Sequence, residues 1–109
     1  MSFNAKMHVA DGAATLRLVG ELDRRAAPRL NELIIEAATR QVKRLVLLMD
    51  ELKYMSSAGL RCLVFAHQKM PRGVQIVLIG TRPEVAQTIR LTGFDRSITM
   101  EDSVEGRAQ

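Results

Sequence analysis

The sequence predicts a single α/β domain in which a mixed sheet of about four to five strands packs against about three to four helices. Three observations predict this fold: a hairpin signal near the N-terminus, apolar strand-like runs that alternate with amphipathic helical segments, and a length of 109 residues. A chain of this length forms one hydrophobic core. We therefore expect one domain over residues 1–109, with its core at about 3–100 and a polar tail over 101–109.

The N-terminal segment alternates between apolar and polar residues from Phe3 to Val9, as a strand with one buried face does. The dipeptide Asp11-Gly12 follows it, and this pair is favoured in two-residue hairpin turns because both positions take positive φ. The return strand is predicted over 15–19. The chain is therefore expected to open with an antiparallel hairpin.

Helical segments and short apolar runs alternate along the rest of the chain. Strands that are joined by helices pair in parallel through right-handed crossovers, so the hairpin makes the predicted sheet mixed. An unbroken apolar run of the kind found at 45–49 indicates a strand buried on both faces. In chain order we expect a helix from about Pro28 to Arg40, a strand over 45–49, a polar connection over 50–54, a helix from Ser57 to about 70, a strand over 74–79, a helix from Pro83 that Gly93 caps, and a short strand over 97–100.

Charge and composition argue against a nucleic-acid-binding protein. The net charge is +4, but only Arg24, Arg25 and Arg29 form a dense basic group. Aromatic residues make up 4% of the chain, which is too few for a surface that stacks the bases of a single strand. We interpret the charge as a contribution to solubility and expect no direct DNA binding.

Cysteine content and apolar run length predict a cytoplasmic protein without a membrane partner. Cys62 is the single cysteine, so no intramolecular disulfide forms, which suits a reducing compartment. The N-terminus lacks the apolar stretch of a signal peptide. The apolar run at 45–49 is far shorter than the ~20 residues that cross a bilayer.

Two serines, Ser56 and Ser57, lie at the predicted start of the second helix. The free backbone N–H groups and the positive end of the helix dipole favour negative charge at such a place. One interpretation is a serine that caps the helix. The other is a phosphoacceptor, whose added charge the helix start accommodates. Ala58 and Gly59 favour the second, because small residues leave room for a partner's active site.

Three segments together resemble the STAS family, in particular its bacterial single-domain branch, the anti-sigma factor antagonists. They follow one another in the order and at the separations that the family shows, within a match from about residue 3 to 104. The family's Gly-Glu-Leu-Asp resembles Gly20-Glu21-Leu22-Asp23, its phosphorylation loop resembles Tyr54-Met55-Ser56-Ser57-Ala58-Gly59-Leu60, and its third-helix ending resembles Leu91-Thr92-Gly93-Phe94-Asp95.

The resemblance implies a non-enzymatic protein switch. The sequence has too few candidate ligands for a metal site, and no cofactor is expected. In the family, a serine protein kinase that doubles as an anti-sigma factor phosphorylates the loop serine, which here is Ser57. The unmodified domain binds this partner and frees the sigma factor, and a metal-dependent serine phosphatase restores it. Arg61 has two open interpretations, a solvated side chain or a contact to an acidic patch or the phosphoryl group. The residues expected to contact the partner are Asp23, Ser56, Ala58, Gly59, Leu60 and Arg61.

Two departures from the family pattern leave alternatives open. Ser56 stands where the family often has Asp, and Leu48 where it often has an acid. A STAS module that docks a partner without being phosphorylated is therefore the second hypothesis. A serine hydrolase is the remote one, since Ser57 precedes Ala-Gly as in part of a nucleophile elbow. The nearest helical base would be His67, ten residues and about 15 Å further on at ~1.5 Å per residue.

Overall fold

The computed structural model describes residues 2–102, which form five strands and three α-helices in the predicted order. The expected α/β class is confirmed. Glu101, predicted as the first residue of the tail, belongs to the last strand, and the predicted tail from 103 onward lies outside the described residues. The strands are β1 (Phe3–Ala10), β2 (Ala13–Leu22), β3 (Arg44–Met55), β4 (Gln75–Ile79) and β5 (Thr99–Glu101); the helices are α1 (Ala27–Ala38), α2 (Ser57–Lys69) and α3 (Pro83–Leu91), with a 3₁₀ turn at Phe94–Ser97.

The predicted hairpin is confirmed. Asp11 and Gly12 have φ of 53° and 77°, which is the left-handed conformation that a tight hairpin turn requires. Strand β1 then pairs antiparallel with β2, in a register that joins Val9 to Ala14 and Phe3 to Gly20. The hairpin thus returns the start of the chain to the far end of β2.

The sheet order β1-β2-β3-β4-β5 determines where the helices lie. Strands β2 to β5 are parallel, and each crossover steps in the same direction across the sheet. Right-handed crossovers that all step the same way place their helices on one face. Most of the buried side chains of α1, α2 and α3 accordingly share one core with inward residues of the strands.

This one-sided arrangement corrects the prediction that the run over 45–49 is buried on both faces. Leu45, Leu47 and Met49 are buried, but Val46 and Leu48 between them are only half-buried. Helices cover a single face, so the strand shows the alternation of a half-covered sheet. All five residues over 45–49 are apolar. Composition alone therefore could not indicate which of their side chains face the core.

The predicted polar connection over 50–54 is also corrected, because β3 continues through it to Met55. The extension pairs with the end of β2, where two irregularities let Glu21 meet Tyr54 and Leu22 meet Met55. Leu52 and Met55 are buried while the polar residues between them are exposed. The strand therefore delivers the chain directly to the start of α2.

The helix boundaries fall close to their predicted places. Pro28 lies in the first turn of α1, and Gly93 follows α3 with a φ of 80°, the left-handed conformation of a C-terminal cap. The final strand starts two residues later than predicted, because the 3₁₀ turn occupies Phe94–Ser97. Within residues 2–102, no helix combines the length and apolar character that a bilayer crossing requires.

Candidate functional site

The candidate site lies at the carboxyl edge of the sheet, where β2 and β3 end and α1 and α2 begin. Leu22 and Met55 are paired neighbours at the ends of these parallel strands, so the segments that follow them leave the sheet side by side. The backbone N–H of Ser56 donates to the Leu22 carbonyl oxygen at 2.9 Å. This contact brings residues 23 and 57 to one edge although 33 intervening positions separate them in sequence.

Ser56 is the residue that caps α2. It has extended backbone angles, and its Oγ accepts a hydrogen bond from the Gly59 N–H at 3.3 Å. The same hydroxyl donates to the Leu22 carbonyl oxygen, also at 3.3 Å. Its hydroxyl is thus engaged in holding the helix start against β2, which is the capping role that one of the two serines was expected to play.

Ser57 is the first residue of α2 and is exposed. No hydrogen bond to its hydroxyl is formed by any residue within the described range 2–102. The free N–H groups of the first helical turn and the positive end of the helix dipole lie beside it. The two roles that the sequence left open therefore separate, with the cap at position 56 and an accessible hydroxyl at position 57.

Ala58 and Gly59 follow Ser57 in the first turn of α2. Both are buried, so they offer little surface to a partner. A Cβ added at Gly59 would lie 2.7 Å from the Leu22 carbonyl oxygen and 2.8 Å from the Met55 Cγ. The glycine allows α2 to pack closely on the strand ends of its own domain. The contact of Ala58 and Gly59 with a partner stays a prediction.

Leu60 and Arg61 differ in what they present to solvent. Leu60 is half-buried against the core, whereas Arg61 is exposed. Arg61 stands four residues after Ser57, which places both on the same side of the helix one turn apart.

Cys62, the next residue of α2, is buried, and this burial raises the pKa of its thiol to about 11, while the positive charge of Arg61 acts in the opposite direction. Its thiol faces the Ala27 carbonyl oxygen at 3.7 Å and so links α2 to α1.

Asp23 initiates the turn that leads into α1. Its Oδ1 accepts hydrogen bonds from the N–H groups of Arg25 and Ala26, both at 3.0 Å. This is the local side-chain-to-backbone pattern that makes aspartate favourable in turns. Its Oδ2 accepts no hydrogen bond within residues 2–102, so the half-buried carboxylate has one oxygen available to a partner.

A groove of about 380 Å³ beside Asp23 was not found from the sequence. The sequence signals were the arginines near the start of the first helix and the predicted hairpin, which returns the start of β1 to the end of β2. Neither signal indicated a cavity between them. Glu21 N–H donates to the Ser2 carbonyl oxygen at 3.1 Å and holds the two segments together. The groove is lined by Ser2, Phe3, Glu21, Asp23, Arg25, Ala26 and Arg29.

The described titratable side chains were compared with what a metal site or a catalytic base beside Ser57 would need. Within residues 2–102, no three His, Cys, Asp or Glu side chains are placed to hold a metal ion. His67, the base considered from the sequence, packs its ring edge-on against Phe94 with centroids 5.9 Å apart. The charged groups that lie beside the Ser57 hydroxyl along α2 are therefore those of the surface, with Arg61 one turn away.

Comparison with known proteins gives one family. The STAS domain family matches residues 4–106. The anti-sigma-F factor antagonist RsfB of Mycobacterium tuberculosis is 28% identical over 104 residues, which cover 90% of this chain and 85% of RsfB. An anti-sigma factor antagonist from Mycobacterium paratuberculosis has a crystal structure similar to this fold, with a TM-score of 0.87, 22% identity, and coverage of 96% of this chain and 90% of that one.

The Bacillus cell fate determinant SpoIIAA in its phosphorylated form has the same fold, with a TM-score of 0.73, 21% identity, and coverage of 98% of this chain and 96% of SpoIIAA. At this identity the likeness concerns the fold alone. The family match, in contrast, extends over nearly the whole sequence and includes both strand ends and both helix starts of the candidate site. This chain belongs to the STAS domain family.

Proposed function

We propose that this protein is an anti-sigma factor antagonist that binds an anti-sigma factor with serine kinase activity, and that phosphorylation of Ser57 ends the binding. The observation that carries the proposal is the exposed Ser57 hydroxyl, free of hydrogen bonds from residues 2–102, at the first position of a 13-residue helix. The names of the relatives, RsfB among them, support the class of partner.

A phosphoryl group at this position suits the local electrostatics. It would add about −1.5 to −2 charges, next to N–H groups that the helix leaves unpaired. Exposed Arg61 stands one turn along the same side of the helix and can pair with the phosphoryl oxygens. The modification is therefore compatible with the folded domain, and its main effect falls on the surface that a partner contacts.

The serine at position 56, where the family often has Asp, is consistent with this function. Its hydroxyl performs the capping that an aspartate carboxylate would also perform, by accepting from the Gly59 N–H. The helix start therefore keeps its shape without a local carboxylate. The partner's kinase activity supplies the chemistry, so the proposed role of this chain is binding and not catalysis.

The proposal is tested by measuring the intact mass of this protein. The protein is first incubated with ATP and, in turn, with each purified anti-sigma kinase of the source genome. Wild-type protein should gain the mass of one phosphoryl group, and Ser57→Ala should gain none. Ser56→Ala is the matched control, since it removes the neighbouring hydroxyl and costs about 1 kcal/mol of capping while leaving the acceptor. A metal-dependent serine phosphatase should reverse the gain. Binding without any mass gain would instead support a docking module that is not phosphorylated.

Two substitutions at Asp23 separate its structural role from its proposed contact with the partner. Asp23→Asn keeps an oxygen for the Arg25 and Ala26 N–H groups but removes the charge. We expect its free energy of unfolding to stay within about 0.5 kcal/mol of wild type and its partner affinity to fall several-fold. Asp23→Ala should also lose about 1 kcal/mol of stability. Chemical denaturation and calorimetric titration measure both quantities, and wild-type affinity in Asp23→Asn would refute the contact.

A further inference from the structure

The amino edge of the sheet, at the opposite end of the strands from Ser57, collects cationic side chains that are distant in sequence. The chain reaches this edge wherever a helix ends and the next parallel strand begins. Two hydrogen bonds join these connections: the Gln75 N–H donates to the Lys43 carbonyl oxygen at 3.0 Å, and the Gln75 side chain donates to the Thr99 hydroxyl at 3.1 Å. Six exposed cations form what we name the basic edge: Lys43, Arg44, Lys69, Arg72, Arg90 and Arg96.

The basic edge is not neutralised by the domain itself. Within residues 2–102, no carboxylate forms an ion pair with any of its six side chains. Arg40, at the same end, pairs with Glu36 at 3.4 Å, so these two add no net charge. Of the described carboxylates, those of Asp11 in the hairpin turn and Asp95 in the 3₁₀ turn also belong to this end. Six cations and two carboxylates leave an excess of four positive charges, which is as large as the net charge of +4 of the whole chain.

Stabilisation of the helices explains only part of this grouping. Lys69 and Arg90 lie in the last turns of α2 and α3, where a cation interacts favourably with the helix dipole. The other four cations lie outside the α-helices, in the connections and at the first residue of β3. Repulsion among like charges opposes folding, so the fold gives no reason to collect them. The basic edge is suited instead to a ligand that carries several negative charges.

Leu91 indicates which kind of polyanion fits this end of the domain. It is the last residue of α3, next to Arg90, and at 79% exposure it is the most exposed large apolar side chain within residues 2–102. A nucleic-acid backbone offers phosphates to the cations but no apolar contact to a leucine. The boundary between lipid headgroups and acyl chains offers both contacts. An exposed leucine beside unpaired cations therefore favours anionic lipid.

We propose that the basic edge and Leu91 form a peripheral binding surface for membranes that contain anionic lipids. The cations meet the negative headgroups and Leu91 enters the headgroup boundary, so the contact needs no segment that crosses the bilayer. The short apolar runs that led us to expect no membrane partner bear on crossing and not on a contact of this kind. Ser57 begins α2 at the opposite edge and stays accessible while the basic edge is bound. Membrane binding of this kind does not depend on the proposed function.

Vesicle binding by the full chain tests this surface. Sedimentation with phosphatidylcholine vesicles, with and without about 30% phosphatidylglycerol, gives partition coefficients at about 50 and 500 mM salt. We expect the wild type to prefer the anionic vesicles at least ~30-fold at low salt and to lose most of this preference at high salt. Lys43→Glu with Arg72→Glu should lower the partition coefficient at least ~10-fold, and Leu91→Ser about threefold. The matched control is Arg24→Glu with Lys53→Glu, an equal change of charge at two exposed residues of the carboxyl edge, and it should lose less than about threefold.

The opposite results would overturn the inference. Equal losses in the two glutamate variants would show that net charge alone governs the binding. If duplex DNA or polyglutamate displaces the protein from the vesicles, and Leu91→Ser binds the vesicles as tightly as the wild type, the basic edge serves another class of polyanion. Circular dichroism checks that each variant is folded. If the glutamate variant is not, Lys43→Gln with Arg72→Gln removes the charges without reversing them, and an unchanged partition coefficient in that variant would refute the surface.

Discussion

Gly59→Ala should lower the free energy of unfolding by about 2 to 3 kcal/mol. The added methyl would lie 2.7 Å from the Leu22 carbonyl oxygen and 2.9 Å from the Leu22 Cγ. The carbonyl cannot move aside easily, because it also accepts from the Ser56 N–H at 2.9 Å. Guanidinium unfolding, followed by circular dichroism with the m-value held as a check on two-state behaviour, measures the loss.

The sign of this effect makes the experiment decisive. In an open helix position, alanine in place of glycine would stabilise by up to about 1 kcal/mol. The control is Ser57→Ala, two positions earlier on the exposed side of the same helix, for which we expect a change within about 0.5 kcal/mol. A Gly59→Ala variant as stable as wild type would mean that α2 is not packed tightly on the strand ends.

Ser57→Asp should weaken binding to the anti-sigma factor about 100-fold while leaving the fold intact. A carboxylate at this position puts part of the phosphoryl charge on the proposed contact surface, where an unfavourable charge costs several kcal/mol. The same charge at the first helical position stabilises the helix by about 0.3 to 1 kcal/mol. Stability and affinity are therefore expected to move in opposite directions.

Ser57→Asn separates charge from shape in this test. It has nearly the size of aspartate but no charge, and we expect its affinity to remain within a few-fold of wild type. Titration calorimetry gives the affinities and thermal unfolding gives the stabilities. If Asp and Asn weaken binding equally, steric fit and not charge governs the surface, and the proposed mechanism of the switch is wrong.

The parts of the fold that local chemistry specifies were predictable from the sequence. Asp11-Gly12 and Gly93 adopt the positive φ that their residue types allow, and the turns fall where they were expected. The alternation of helical and strand-like segments gave the element order. These features depend on residues close together in the chain, which pattern analysis can evaluate.

The parts that depend on distant residues were not predictable. The extension of β3 over 50–54 forms because it pairs with the irregular end of β2, about 30 positions earlier. Gly59 packs against Leu22, and the groove joins Ser2 to the start of α1. The segment 50–54 resembled a connection because its residues are mostly polar. An exposed strand edge and a loop have similar residue compositions.

Local chemistry placed the two serines at the start of the second helix but did not separate their roles. Adjacent serines at a helix start have the same chemistry, and only backbone angles decide which hydroxyl turns back to the Gly59 N–H. The extended conformation of Ser56 makes it the cap, and the next residue then projects outward. The resemblance to the STAS family named Ser57 as the acceptor, and that assignment remains a prediction.

The Leu22 carbonyl oxygen ties β2 to the start of α2 through both the backbone and the side chain of Ser56. These two hydrogen bonds resist displacement of the helix when its first residue is modified. Under the proposed function, phosphorylation of Ser57 would then change the electrostatic potential of the surface and not the conformation of the helix. We therefore expect the backbone of α2 to change little on phosphorylation, so that a partner distinguishes the two forms by their surface charge.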